Sequence, residues 1–152
     1  LDSLSCGWNE LNGLDISKNT ALKELLCTYN PLETLDVSKN IALKKLSCNY
    51  DQLTTLDISV NGALTNLSCD YNLLTSLDIS HNYALEQLDC EQNQLSGINI
   101  SNNIALKSLL CNENPLGSLD ISSNINLEWL SCERNHLINL DISKNPLIYI
   151  VV

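Results

Sequence analysis

The chain repeats one 21-residue sequence seven times, and this strict period limits the available folds more than any other feature. The copies begin at Leu1, Leu22, Leu43, Leu64, Leu85, Leu106 and Leu127, with no insertion or deletion between them. A regular period of this length is typical of solenoids, in which each unit buries its apolar face only against its neighbours. We therefore predict a single elongated domain over residues 1–152, made of these seven repeats and a partial eighth over residues 148–152, with capping segments missing.

Apolar residues recur at fixed positions within each repeat. In the second copy they are Leu22, Leu25, Cys27, Leu32, Leu35, Val37 and Ala42. The alternation around Leu25 and Cys27 has the period of a strand with one buried face. We expect a first strand there and a second extended segment around Leu35 and Val37, each paired in parallel with the next copy. The predicted fold is a right-handed solenoid of parallel β coils, mostly β and loop, with short 3₁₀ or α turns at its corners.

Polar residues also form columns, which we predict to hold the corners of the coils. Asparagine occupies the ninth position of every repeat except the third, which has Asp51, and the nineteenth position of all seven. Asn side chains can bond the backbone of a turn and of the next coil together. We expect Asn30 and Asn72 to donate to Asp51 from either side, and Ser17 and its equivalents to cap the second turn.

A column of carboxylates precedes the second turn. Its members are Asp15, Asp36, Asp57, Asp78, Asp120 and Asp141, with Asn99 in the fifth repeat. Such a column suggests calcium binding or paired catalytic carboxylates, but equivalent environments do not create an acid and a base. We expect instead that each accepts hydrogen bonds from the backbone of the turn it begins.

The seven cysteines stand one per repeat, at the sixth position. No C-x-x-C pair and no histidine column accompanies them, so no metal site and no cofactor is predicted. Neighbouring side chains of an in-register parallel stack run side by side, which disfavours disulfides. We expect buried free thiols that act as small apolar side chains.

The two halves of the repeat, L-x-x-L-x-C-x-x-N-x-L and L-D-[I/V]-S-x-N-x-A-L, resemble a known family. Together they are similar to the bacterial leucine-rich repeats of the internalin family, and the cysteine column resembles the internalin J type. The resemblance extends from Leu1 to Leu147. It implies a right-handed horseshoe with the first strand on the concave face, a reduced cysteine ladder, and attachment to other molecules. It also implies a secreted or cell-surface location.

The net charge of −10 argues against nucleic acid or an anionic membrane surface as the partner. No apolar run approaches the roughly 20 residues that span a bilayer, so membrane insertion is not expected. A neutral or basic protein, or a glycan, is the more natural ligand.

The outward residues of the first strand vary from repeat to repeat, as expected of a binding surface, whereas those of the second segment are mostly Asp and Ser. Aromatic residues occupy the eighth position of four successive repeats, and acidic residues follow in the later ones. We predict that the ligand-binding residues are Trp8, Tyr29, Tyr50, Tyr71, Asp89, Glu91, Trp129 and Arg134. The alternative is that the aromatic row only covers the edges of the coils.

These patterns predict a non-enzymatic binding or adhesion module, because no nucleophile, cofactor loop or metal cluster is apparent. The alternative is a structural spacer or filament subunit that self-associates head to tail through uncapped ends. Light scattering distinguishes the two, since a filament grows with concentration.

Overall fold

The computed structural model describes residues 1–146 and 148–151 and shows a parallel β-solenoid. It confirms the predicted fold class, and within those residues there is no helix. Leu147 and Val152, assigned from sequence to the seventh and eighth repeats, lie outside the described residues.

Each coil contributes one three-residue strand to a single sheet. The strands are β1 (Ser3–Ser5), β2 (Glu24–Leu26), β3 (Lys45–Ser47), β4 (Asn66–Ser68), β5 (Gln87–Asp89), β6 (Ser108–Leu110), β7 (Trp129–Ser131) and β8 (Tyr149–Val151). They pair in parallel in chain order, and Leu25 lies opposite Leu46, its equivalent in the next repeat. Strand pairing therefore has the period of the sequence.

The last strand departs from this register. Trp129 pairs with Tyr149, which is 20 residues away, whereas Ser108 pairs with Trp129, 21 residues away. The sequence at residues 145–148 is N-P-L-I, whereas five of the six earlier junctions between repeats read N-x-A-L and the one at residues 124–127 reads N-I-N-L.

Only the first of the two predicted extended segments is a strand. No strand occurs around Leu35 and Val37 or their equivalents in the part of the chain that the structure describes. The prediction that this segment pairs in parallel with its copy in the next repeat was therefore wrong. Adjacent copies are joined there by side chains: the Asn40 amide donates to the backbone oxygens of Ile16 and Asn19. A polar ladder of this kind replaces main-chain pairing.

The corner after this segment contains two single turns rather than a short helix. The Asn40 N–H donates to the Val37 carbonyl, and the Leu43 N–H donates to the Asn40 carbonyl, both over 3.0 Å. The turns have the i to i+3 spacing of a 3₁₀ helix but are not continued.

Aspartate, not serine, caps these turns. The Ser38 N–H donates to Asp36 Oδ1 over 2.8 Å, and Asn99 accepts the Ser101 N–H in the same way. Hydrogen bonds from Ser38 lower the pKa of Asp36, which favours its charged form. The prediction that the aspartate column holds backbone groups is confirmed, while the role given to serine is corrected.

The ninth-position asparagines bind two coils together. Asn72 Nδ2 donates to the carbonyls of Cys48 and Cys69, and its Oδ1 accepts the Leu53 N–H. Asn72 is buried, so these bonds satisfy backbone groups that water does not reach. Each such asparagine therefore fastens its own coil to the preceding one.

Asp51 breaks this pattern in a way that the sequence did not predict. Its Oδ1 accepts the backbone N–H of Asn30 over 2.7 Å, while the Asn30 and Asn72 side chains donate to carbonyl oxygens instead. The second oxygen, Oδ2, is buried without a hydrogen-bond partner. Burial raises the pKa of Asp51 to about 6. The carboxylate thus occupies the position at which the other coils have an asparagine whose amide group donates hydrogen bonds.

The core is a stack of leucine, isoleucine and cysteine columns between the coils. Leu25, Cys27, Leu32 and Leu43 are fully buried, and the same positions are buried in the inner repeats. Cys27 Sγ lies 3.5 Å from the Ser47 carbonyl of the next coil, to which it donates. The predicted inward cysteine column is present, with all seven thiols free and only Cys6 partly exposed.

Native thiols are expected to react slowly with an aromatic disulfide reagent, except at Cys6. Burial raises the pKa of Cys27 to about 12, so the reactive thiolate is scarce, and burial also raises the pKa of Cys48, Cys69 and Cys90 well above the ordinary thiol value. Labelling kinetics followed by mass spectrometry in buffer and in denaturant measure this. Rapid labelling of several native cysteines would show that the column does not point inward.

Candidate functional site

The outward side chains of the strands form a shallow groove along the solenoid, about 370 Å³ in volume. One side of it is lined by the residues at the fifth position of successive repeats, which are Leu26, Ser47, Ser68, Asp89 and Leu110. The residues at the third position, from Lys45 to Ser108, line the other side. The strand register places equivalent residues side by side, so the groove crosses β2 to β6 at right angles to the strands.

Beyond each strand the backbone adopts a left-handed conformation at the eighth position. The φ angles are 57° at Trp8 and Tyr29, 54° at Tyr50 and 53° at Tyr71, and Gln92, Glu113 and Arg134 have the same sign. Non-glycine residues rarely take this conformation. Here the Tyr29 N–H donates to the Asn49 carbonyl of the next coil over 2.8 Å, and this bond recurs along the solenoid. The strained turn projects the side chain at the eighth position of each repeat from the same edge of the sheet.

The four aromatic residues at this edge form one continuous stack. Centroid distances are 3.8 Å for Trp8–Tyr29, 4.2 Å for Tyr29–Tyr50 and 4.0 Å for Tyr50–Tyr71, with interplanar angles of 15° or less. The faces of the inner rings therefore cover one another. Tyr50 and Tyr71 still expose 38% and 40% of their surface, which leaves ring edges and hydroxyl groups accessible. A hydrogen bond with Tyr71 is the main reason that the pKa of Tyr50 is raised.

Three carboxyl groups lie near one another in the fourth and fifth coils, Asp70, Asp89 and Glu91, and of these Asp89 lines the groove. Asp70 is buried, while Asp89 and Glu91 are half-buried. Burial, and next the negative charge of Asp70, raise the pKa of Asp89 to about 7. The same two causes raise the pKa of Glu91. Ionising these carboxyl groups costs free energy because they are partly buried and close to one another. A nearby cation would offset that cost.

Polar side chains position the carboxylates from both sides. Asn49 donates to the Ser68 hydroxyl over 2.8 Å, which in turn donates to Asp70 over 3.1 Å. On the other side, Ser131 donates to Asn112 over 2.9 Å, and Asn112 donates to Glu91. Both chains run across coils along the strand face and fix the carboxylates in place.

The eight residues predicted as ligand-binding fall into separate groups. Trp8, Tyr29, Tyr50 and Tyr71 form the stack, and the Glu91 N–H donates to Asp89 Oδ1 over 3.3 Å. In the seventh coil, Arg134 forms an ion pair with Glu113 over 2.9 Å. Trp129 stacks on Tyr149 with centroids 4.6 Å apart. The strand-lined face brings these groups to one side, and the Tyr71 N–H donates to the Glu91 carbonyl over 3.0 Å, which joins the stack to the acidic pair.

Sequence reasoning missed two apolar features. Leu26 and Leu110 line the groove where other repeats have Ser or Asp, a substitution within the column that was visible in the sequence. A second feature is the exposed column of Ile41, Tyr83, Ile104 and Ile125 at the twentieth position. Each of these side chains exposes more than half of its surface.

The repeat, the single parallel sheet and the buried cysteine column define a leucine-rich repeat solenoid with a cysteine ladder. No protein-family model matches the chain, and no curated protein matches it in sequence. Solved structures do match. The functional domain of InlJ from Listeria monocytogenes, which includes a cysteine ladder, is 32% identical with a TM-score of 0.85, over 97% of this chain and 38% of that one.

Two further structures bear on this result. An internalin, InlF, from Listeria monocytogenes is 25% identical with a TM-score of 0.91, over 99% of this chain and 47% of that one. A leucine-rich repeat protein of Leptospira interrogans, 20% identical with a TM-score of 0.79 over 100% of this chain and 49% of that one, shows the fold alone. The chain is thus an internalin-like leucine-rich repeat chain, and it spans less than half the length of these three proteins.

The likeness to InlJ and InlF supports an interaction-type repeat module. Over residues 1–146 and 148–151, the structure contains no helix long and apolar enough to cross a membrane. The same residues contain no group of three or more His, Cys, Asp or Glu side chains arranged to hold a metal ion.

Proposed function

We propose that this chain is a non-enzymatic binding module that recognises a protein or a glycan on its strand-lined face. The observation that carries the proposal is the contrast between the two sides of the coil. The second segment repeats the same cap in each coil, Asp from Asp15 to Asp141 with Asn99 in the fifth, and those side chains accept hydrogen bonds from the backbone. The strand face instead presents different side chains in each coil.

The strand face also has the composition expected of an interaction surface. Aromatic residues dominate interface hot spots because they give a large contact area at a small cost in side-chain entropy. The stacked row of Trp8 to Tyr71 is ordered before binding, which reduces that cost further. We propose that its edges and hydroxyls, with Asp89, Glu91, Trp129 and Arg134, contact the ligand. By analogy with the internalins, the location is secreted or on a bacterial cell surface.

Changing Tyr29 and Tyr50 together to alanine is expected to weaken ligand binding by about 2 kcal/mol or more. The ligand is first sought with the same chain on a glycan array and a panel of purified surface proteins. Loss of the stacked pairs is also expected to lower stability by about 1–3 kcal/mol, so binding is measured by calorimetry well below the unfolding temperature.

Two matched controls separate recognition from folding. The pair Tyr29→Phe and Tyr50→Phe keeps the stack and removes only the hydroxyls, so a loss of affinity there identifies direct polar contact. The pair Asp36→Asn and Asp57→Asn alters the second segment, where Asn99 already serves as a cap, and is expected to leave affinity unchanged. Equal loss from the strand-face and second-segment variants would contradict the proposed surface.

A further inference from the structure

We propose that the groove binds an extended peptide segment in which one Lys or Arg side chain lies over Asp70, Asp89 and Glu91 and two apolar side chains lie over Leu26 and Leu110. This inference rests on the proposed binding function and names the chemical class of its ligand. It follows from three properties of the groove: its apolar ends, its charge and the spacing of its coils.

The apolar ends are fixed by the repeat. Leu26 lies in the second coil and Leu110 in the sixth, and both are only half-buried in a lining column that otherwise carries serine and aspartate. Parallel strands are about 4.8 Å apart, so the two leucines are separated by roughly 19 Å along the groove. Each offers a contact for one apolar side chain of a ligand.

The charge is placed asymmetrically between these ends. Asp89 lies in the fifth coil, one coil from Leu110 and three coils from Leu26, with Asp70 in the coil before it. Between Leu46 and Leu106 the sequence has no Lys or Arg, so this part of the face provides no cation of its own. Lys45 stands in the third coil, beside Glu24 across the strand pair, and disfavours a cation at that end. Charge complementarity thus selects a basic group at the fourth and fifth coils.

The spacing matches an extended chain. A strand advances about 3.3 Å per residue and directs alternate side chains to the same side. Steps of four and then two residues cover roughly 13 Å and 7 Å, against roughly 14 Å for the three coils from Leu26 to Asp89 and roughly 5 Å for the one coil from Asp89 to Leu110, so each step agrees to about 2 Å. The recognised sequence is therefore apolar-x-x-x-[Lys/Arg]-x-apolar, or its reverse if the segment runs the other way. All three anchors fall on one side of the bound segment.

Binding of the basic side chain should also release protons from the carboxyl groups. The groups around Asp89 are Asp70 after β4, Glu91 after β5 and the uncharged Asn66, Ser68, Ser108 and Leu110 of the flanking strands, while Lys107 pairs with Glu86. The pKa of Asp89 is raised to about 7, so a cation must displace a proton below that pH. Affinity is expected to fall about tenfold from about pH 8 to about pH 6.

The test uses the whole chain and four synthetic peptides, with binding followed by chemical-shift changes in NMR spectra. The two probes are acetyl-Leu-Ser-Thr-Ser-Arg-Ser-Leu-amide and its reversed sequence. The two controls replace Arg by Gln in the first probe, or move Arg by one residue so that it faces away from the groove. One of the probes is expected to shift resonances of β2 to β6 and to bind at least about fivefold more tightly than both controls.

Two protein variants complete the test. Asp89→Asn is expected to weaken binding of the probe at least about fivefold and to flatten its pH dependence. Glu33→Gln, which removes one exposed charge outside the groove, should leave affinity within about twofold. The proposal is overturned if neither probe binds, or if Asp89→Asn and Glu33→Gln behave alike. A ligand from the screens that depends on Tyr29 and Tyr50 but not on Asp89 would overturn this inference alone and leave the proposed function standing.

Discussion

Replacing Asn72 with alanine is expected to lower the free energy of unfolding by about 3–5 kcal/mol. The change removes Nδ2 bonds to the carbonyls of Cys48 and Cys69, at 2.7 and 3.1 Å, and the Oδ1 bond to the Leu53 N–H at 3.0 Å. Those backbone groups are buried, so the loss includes the cost of leaving them without a partner. Urea unfolding followed by circular dichroism measures the effect.

A matched control for this variant is Asn102→Ala. Asn102 is exposed and makes one side-chain bond, to the Ser80 carbonyl over 3.2 Å. Its loss is expected to cost less than about 1 kcal/mol. If Asn72→Ala were no more destabilising than Asn102→Ala, the ninth-position ladder would not be what joins the coils.

Replacing Asp51 with asparagine is expected to stabilise the chain by about 1–3 kcal/mol above about pH 7. Asparagine supplies the donors that the other coils have at this position, and it removes a carboxylate whose Oδ2 is buried without a partner. The pKa of Asp51 is raised to about 6 from an ordinary value of 3.8. The folded state therefore binds the proton more tightly than the unfolded state, and the wild type loses stability as pH rises through this range.

The gain from Asp51→Asn should accordingly be full above about pH 7, shrink as pH falls through about 6, and be lost below the ordinary pKa of 3.8, where Asp51 is protonated in both states. Asp57→Asn is the control with the opposite sign, since hydrogen bonds from Ser59 lower the pKa of Asp57. Its wild-type contribution is present at neutral pH and lost on acidification. Unfolding midpoints of both variants, taken from about pH 2 to about pH 8, check the two slopes, because the slope from Asp57 lies below its ordinary pKa of 3.8. A gain from Asp51→Asn that did not change with pH would refute this assignment.

Much of the fold was predictable because it depends on period alone. A 21-residue repeat places Leu25 opposite Leu46 and aligns Cys27 with Cys48 without any knowledge of the turns. The unpaired second segment was not predictable in this way, because L-D-V has strand-like alternation. There the Asn40 amide bonds the coils instead of the backbone, and the pattern of apolar residues is the same in either arrangement.

The site was less predictable because it depends on local conformation. The eighth position carries Trp, Tyr, Gln, Glu and Arg, none of which favours positive φ, so nothing in the sequence indicated the left-handed turn that projects them. The aromatic row was visible, but ring distances of 3.8–4.2 Å show that the inner faces are covered. The raised pKa of Asp89 arises from burial and from Asp70, which belongs to another coil.

The central claim, that the strand-lined face is the binding surface, is tested most directly by carboxyl footprinting. The chain is labelled with a carbodiimide and an amine, alone and saturated with a ligand from the screens, and the modified residues are quantified by mass spectrometry. We expect the ligand to protect Asp89, Glu91 and Glu113 on the strand face and to leave Asp36 and Asp57 on the second segment labelled as before. Protection confined to the Asp36 and Asp57 column, with the strand-face carboxylates unchanged, would contradict the account.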